Sequence, residues 1–224
     1  TGRRVIELTT VLQEADFENA DQDETAVRVF PVSRDELFGF DVVIIGDADP
    51  SHFGNSVKRN MVDFVTTRGG GMVFVAGPRY TPLAYRDSVL EDLIPVDLSS
   101  AYAHDPSVNL EEPVALMPTP LGLESPHFQV GASRSDTDSI WRTLPGVYWF
   151  TTARDLRPAA RVLARTTSRL SGDDEAIPVV SMQFVGAGKV VFHSNHLSTH
   201  SAPGTATRTA TRSTCFCSAA SPSA

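Results

Sequence analysis

The sequence predicts an α/β fold built on a mostly parallel sheet, and three observations carry that expectation. Asp41 opens the run Val42-Val43-Ile44-Ile45, closed by Gly46-Asp47; an unbroken β-branched stretch of this kind reads as a strand buried on both faces. Residues 72–76, Met-Val-Phe-Val-Ala, repeat the signature after Gly69-Gly70-Gly71. Between the two runs, Phe53, Val57, Met61 and Phe64/Val65 recur at spacings of three and four, with Lys58, Arg59, Asn60 and Asp63 between them. That is an amphipathic helix. Strand, helix and strand within so short a span require a crossover, which is right-handed and lays the helix on one face of the sheet. The third observation is a hairpin. Residues 177–184 and 189–193 are apolar strands joined by Val185-Gly186-Ala187-Gly188, with glycines available for a positive φ.

The remaining elements follow in order. Residues 5–12 alternate Val5, Glu7 and Thr9 against Ile6, Leu8 and Thr10, a strand whose polar positions suit a sheet edge. Six acidic residues then fall between Glu14 and Glu24, a solvated loop or a cation site. Residues 27–32 are a short apolar piece broken by Pro31, and Ser33-Arg34-Asp35-Glu36 is a capping box for a helix of one or two turns. Asp49 or Ser51 caps the central helix, Pro50 suits its first turn, and Arg68-Gly69 ends it. Residues 88–93 read as a short helix stopped by Pro95, and residues 96–98 as a brief strand. Residues 99–146, rich in Pro, Ser and Asp, are too long for a structureless loop, so short strands are expected at the apolar islands 114–117 and 128–130. The aromatic stretch from Trp141 to Phe150 reads as core packing, with a ligand platform as the other reading. Residues 161–165 form a further strand.

Composition narrows the function. A formal charge of −8 without a Lys/Arg cluster excludes a nucleic-acid backbone binder. No apolar run approaches the roughly 20 residues of a membrane span, so this segment does not insert directly into a membrane. Cys215 and Cys217 are the only thiols, and their spacing suits neither an ordinary disulfide nor a zinc site. From residue 197 the chain turns to Ser, Thr, Ala, Arg and Pro with few large apolar residues, too little to offset ordering entropy. The expected division is therefore a domain at 1–196 and a disordered tail at 197–224. The tail's bias also fits a GC-rich gene read out of frame, so a frameshift near residues 193–197 and a natural linker both stay open.

Residues 41–50, 64–78 and 93–96, with later blocks at 141–149, 156–160 and 186–191, resemble the glutamine amidotransferase-like domain of large bacterial membrane proteins. The resemblance spans residues 5–194. It implies a flavodoxin-like sheet with helices on both faces and the antiparallel hairpin at the C-terminal end. It also implies that a first strand and helix precede residue 5, so that the segment is a piece of something longer. Active members use a Cys nucleophile on a sharp turn. By order along the chain, Gly46 to Asp49 match the oxyanion loop and Ala76-Gly77-Pro78 the nucleophile turn, which has no Cys, while Pro78 removes a backbone N–H. His193 matches the His-bearing strand but has no thiol to activate.

The ligand crevice of such sheets lies at the carboxyl ends of the strands, which marks Gly46, Asp47, Asp49, His52, Gly77, Arg79 and Tyr80 as candidates. Asp47, Asp49 and His52 have the donor chemistry of a divalent-cation site, but cap, loop acid and surface His explain them as well. Arg79 and Tyr80 are candidates for holding an anion, or surface residues. The function expected is a non-catalytic amidotransferase-like binding or scaffolding domain, a pseudoenzyme without cofactor. Its partners would be other domains of the same polypeptide or a separate protein, with membrane association through flanking segments. The alternative is a metal-assisted or hydrolytic enzyme at Asp47, Asp49 and His52.

Overall fold

A computed structural model describes residues 6–12, 30–103, 113–167, 176–195 and 213–219. The chain is a mixed α/β structure. Its strands are β1 (Ile6–Leu12), β2 (Val42–Ile45), β3 (Gly71–Val75), β4 (Tyr102–Ala103), β5 (Leu116–Pro118), β6 (Thr151–Thr152), β7 (Arg161–Thr166), β8 (Pro178–Val185), β9 (Gly188–His193) and β10 (Ser213–Ala219). Eight of them form one sheet in the order β1-β10-β2-β3-β9-β8-β7-β5, and β4 pairs with β6 separately. The helices are α1 (Arg34–Phe38), α2 (Asn55–Thr66), α3 (Pro120–Glu124) and α4 (Arg134–Thr143).

The central strand-helix-strand unit is present, with β2 and β3 parallel and α2 between them. The mostly parallel sheet is a correction, however. Parallel pairing is confined to β2–β3 and β3–β9, while the other neighbours in the large sheet are antiparallel. The reason is connectivity: parallel pairing needs a crossover, whereas β8 and β9 are joined by a two-residue turn at Gly186-Ala187 that enforces antiparallel order. Gly186 sits there at φ +59°, and a Cβ at that position would stand 2.4 Å from the Thr66 carbonyl oxygen.

Burial alternates along β2 and β3 rather than covering both faces. Register explains which residues face α2: Val43 lies beside Met72 and Ile45 beside Phe74, and these continue to Val190 and Phe192 on β9. All six are buried with Val57, Met61, Phe64 and Val65 of α2. Val73 and Val75, read as core in an all-apolar run, lie on the opposite face and are half-buried. On that opposite face Val180 and Met182 of β8 gather a second cluster, against which Val191 and Trp141 of α4 pack.

Several boundaries also move. The expected single helix after β2 is broken into a 3₁₀ turn, Pro50–His52, capped by Asp49, and α2, which starts after Gly54. The helix expected at 88–93 is a 3₁₀ turn, Glu91–Leu93, and residues 96–98 contribute one bridge, Val96 to Leu156. The island at 128–130 ends a 3₁₀ turn instead of forming a strand, while β5 covers the other island. The capping box at Ser33 and Glu36 forms as read and opens α1. The aromatic stretch is core but divided: Trp149 joins the α2 cluster, Phe150 packs with Val147 and Ile177, and Trp141 stacks on Phe128 at 5.3 Å.

The tail expected to be disordered over 197–224 contains β10, inserted antiparallel between β1 and β2. Its residues, Ser-Thr-Cys-Phe-Cys-Ser-Ala, bring a backbone ladder to two strand edges at once, a gain that side-chain composition does not register. The acidic run at 14–24 and residues 197–212 and 220–224 lie outside the described residues.

Candidate functional site

The loop that leaves β2 is tied to the loop that leaves β3 by one carboxylate. Asp47 is 6% exposed. Its Oδ1 accepts the backbone N–H of Tyr80 at 2.7 Å and of Thr81 at 3.0 Å, and its Oδ2 accepts that of Arg79 at 3.1 Å. Thr81 Oγ1 donates back to the Gly46 carbonyl at 2.6 Å, and the Tyr85 hydroxyl donates to the Ala48 carbonyl at 3.0 Å. Burial pushes the Tyr85 phenol far above its usual range, so it stays a donor. Gly77 closes the turn through its N–H to the Thr81 carbonyl at 2.9 Å, and a Cβ there would fall 2.2 Å from Cβ and Cγ of Asp47. Glycine at 77 is therefore what lets the carboxylate reach the three N–H groups.

Successive backbone N–H groups converging on one point make an anion receptor. Here the anion belongs to the chain itself. Of the residues singled out in the sequence, Gly46, Asp47, Gly77, Arg79 and Tyr80 are brought together in this clasp, with the Arg79 guanidinium 5.3 Å over the Tyr80 ring. Asp49 and His52 are not part of it. Asp49 Oδ1 accepts the Ser51 N–H at 2.8 Å, and that bond holds its carboxyl below the ordinary carboxylate value, with His52 and Lys58 adding to the effect and partial burial opposing it. His52 is exposed at the end of the 3₁₀ turn. Among the described residues no group of three or more His, Cys, Asp or Glu side chains is placed to hold a metal ion, so the candidate cation site at Asp47, Asp49 and His52 does not assemble.

His193 lies beside Val75 in the β3–β9 ladder, and its carbonyl accepts the Ala76 N–H at 2.7 Å. It is one strand away from the turn at Gly77. Burial lowers its pKa from the ordinary 6.5, and the hydrogen bond between its Nδ1 and Asn195 Oδ1 at 3.0 Å opposes that shift. Desolvation thus favours the neutral form of the ring. Cys215 and Cys217 belong to β10, opposite Ile44 and Val42 of β2, so β2 separates the strand that carries them from β3.

Next to the clasp is a cleft of about 400 Å³ between the start of α2 and the loop after Tyr85. Asp49, Asn55 and Lys58 line one wall, and Arg86, Asp87 and Ser88 the other. This volume is in the range of small-molecule sites. Its walls are held: Arg86 donates from Nε to the Leu98 carbonyl at 2.9 Å and from Nη2 to the Ala101 carbonyl at 2.5 Å, and the Asp87 N–H donates to Glu91 Oε2 at 2.6 Å. Asp87 takes φ +59°, a conformation uncommon outside glycine. Of this group the sequence marks only Asp49 as a candidate. Lys58 was visible as a polar position of α2, three residues after Asn55, but nothing local tied it to residues 86–88.

No protein-family model and no curated protein sequence matches the chain. Among solved structures it is similar to the cytoplasmic protein STM3548 from Salmonella typhimurium, with 17% identity, a TM-score of 0.52 and 88% of each chain covered. It also aligns with the cytoplasmic protein STM1381 from Salmonella typhimurium LT2, at 16% identity and a TM-score of 0.46 over 87% of this chain and 86% of that one. A third alignment, to the GH42 β-galactosidase Gan42B, has 13% identity and a TM-score of 0.41 over 73% of this chain and 20% of that one. The first of these likenesses supports the α/β fold and nothing about activity.

Proposed function

We propose that the chain is a catalytically silent, glutamine amidotransferase-like domain with flavodoxin-like wiring, acting as a binding or scaffolding module of a larger bacterial protein. Its partners are other domains of that polypeptide or a separate protein, and membrane association comes through segments flanking it. Among the described residues no helix is long and apolar enough to cross a membrane, in keeping with attachment from outside this segment.

One observation carries the reading. At the turn that the resemblance matches to a nucleophile, the backbone donors of residues 79–81 are already occupied by the chain's own Asp47, and the turn itself, Ala76-Gly77-Pro78, offers neither thiol nor hydroxyl. Amide hydrolysis by the amidotransferase route needs a thiolate beside its base and free donors for the oxyanion. The neutral His193 beside this turn has the Asn195 amide as its partner in place of a nucleophile. The open concavity nearby, with Lys58 and Asp49 on one wall and Asp87 on the other, suits a small polar ligand held without chemistry.

The test is ammonia release from L-glutamine by the purified chain, alongside a thermal-shift screen of small charged compounds. The expected result is release equal to the buffer blank, and a compound that raises the Tm of the wild type but not of Lys58→Ala. Glutamine turnover that disappears in His193→Gln would overturn the silent reading.

A further inference from the structure

We infer that a water molecule is bound inside the protein between β6, β8 and β9, held by the hydroxyls of Thr151, Ser181 and Ser194. These three side chains are buried, at 0%, 1% and 0% exposure. None of their hydroxyl oxygens has a hydrogen-bond partner among the described residues.

The backbone brings the three together. The Thr151 N–H donates to the Ser194 carbonyl at 2.7 Å, and the Ser194 N–H donates to the Val179 carbonyl at 2.8 Å. Ser181 stands opposite Phe192 in the β8–β9 ladder. Side chains two residues apart on a strand share a face, and so do direct cross-strand partners. Ser181 therefore points to the same face as Phe192 and Ser194, and Phe192 belongs to the larger core cluster, which also holds Trp149 and Ala153. Gln183, two residues further along β8 on that face, has its amide fully used, donating to the Asp92 carbonyl at 3.1 Å and the Leu93 carbonyl at 3.0 Å. Gln183 is thus satisfied, and the buried side-chain atoms left without a partner among the described residues are these three hydroxyls and Arg157 Nε.

A buried hydroxyl left without a partner is costly, and three adjacent ones are the setting in which an internal water makes its usual two to four bonds. Each hydroxyl can both donate and accept, so one water satisfies all three whichever way its protons point. Water also fits the chemistry of the group: its members are neutral hydroxyls, which offer no charge to hold an ion. The bound molecule would pin the segment carrying Thr151 to the end of β9, next to His193 and Asn195.

The sign of a hydroxyl-to-methyl substitution tests this. With a water present, Thr151→Val strands it short of a partner and lowers the Tm, by about 2–4 °C for a loss of this size in a chain of this length. Ser181→Ala and Ser194→Ala should do the same, and the Thr151→Val/Ser194→Ala pair should cost less than the sum because both changes remove partners of the same water. A high-resolution crystal structure of the wild type should show one solvent peak about 2.7–3.0 Å from the three oxygens. A dry gap in that structure, or a Tm that rises in Thr151→Val because an unpaired hydroxyl has been removed, would overturn the inference.

Discussion

Replacing Asp47 by alanine tests the clasp directly. The carboxylate accepts three backbone N–H bonds at 2.7, 3.0 and 3.1 Å, and removing it leaves those donors facing a 6%-exposed hole. Hydrogen bonds to a charged acceptor contribute roughly 1.5–3 kcal/mol each, but loop relaxation and water entry recover part of that, so the net cost is about 3–4 kcal/mol. In a chain of this length such a loss lowers the Tm by about 6–16 °C. Asp47→Asn keeps one acceptor oxygen but presents an NH₂ group to the remaining donor, and should cost about 1–2 kcal/mol. The assay is thermal or urea unfolding of the three proteins, repeated with added acetate or formate. If the N–H groups of residues 79–81 form an anion receptor, a small carboxylate re-enters the hole in Asp47→Ala and raises its Tm, with no effect on the wild type. An alanine variant as stable as wild type, or one insensitive to both anions, would refute the reasoning.

Gly77→Ala should destabilise by about 1–3 kcal/mol, since its Cβ would overlap Asp47 at 2.2 Å, and unfolding in urea measures it. Ile45→Asp places a charge at a fully buried position facing α2 and should abolish cooperative melting, whereas Val73→Thr on the half-buried face should leave it cooperative. His193 has its pKa lowered by burial, so the unfolded chain binds the extra proton first; its contribution is intact above the ordinary 6.5 and is lost as pH falls below that value toward the depressed folded one. The Tm difference between wild type and His193→Gln should therefore change between pH 7.5 and pH 5, and a constant difference would count against a buried neutral ring. Calorimetric titration with Mg²⁺, Mn²⁺ or Zn²⁺ should give no stoichiometric heat that Asp47→Asn abolishes, because Asp47 is already engaged by three N–H groups.

The parts of the fold legible in the sequence are those whose signal is local. Periodicity and glycine punctuation placed β2, α2, β3 and the β8–β9 hairpin, and the capping box placed α1. What failed was non-local or weakly periodic. In Gly-Met-Val-Phe-Val every side chain is apolar or absent, so the period of two cannot say which face Met72 or Val73 takes; the parallel register with β2 decides it. Helix α4 is not legible because only Thr137 is fully buried on it, and its large apolar contact, Trp141 against Phe128, is a single position and not an apolar stripe. β10 escaped because a strand inserted between two edges is held by ladder hydrogen bonds, which composition does not encode.

The site shows the same division more sharply. An acid at the carboxyl end of a parallel strand reads as a ligand residue, and Asp47 was singled out for that reason. Its partners lie 32 to 34 residues further on, in a loop whose shape depends on Gly77. Once the distances are known, the chemistry reverses: the carboxylate is the bound anion and the backbone of residues 79–81 is the receptor. Because the anion is covalently attached, a free carboxylate or phosphate competes against a very high effective concentration and loses. Binding at this turn would require Asp47 to swing out, which costs the clasp and loosens both loops together. A separate molecule would instead meet the neighbouring cleft, where Lys58 comes from α2 and Asp87 and Ser88 from the loop after Tyr85.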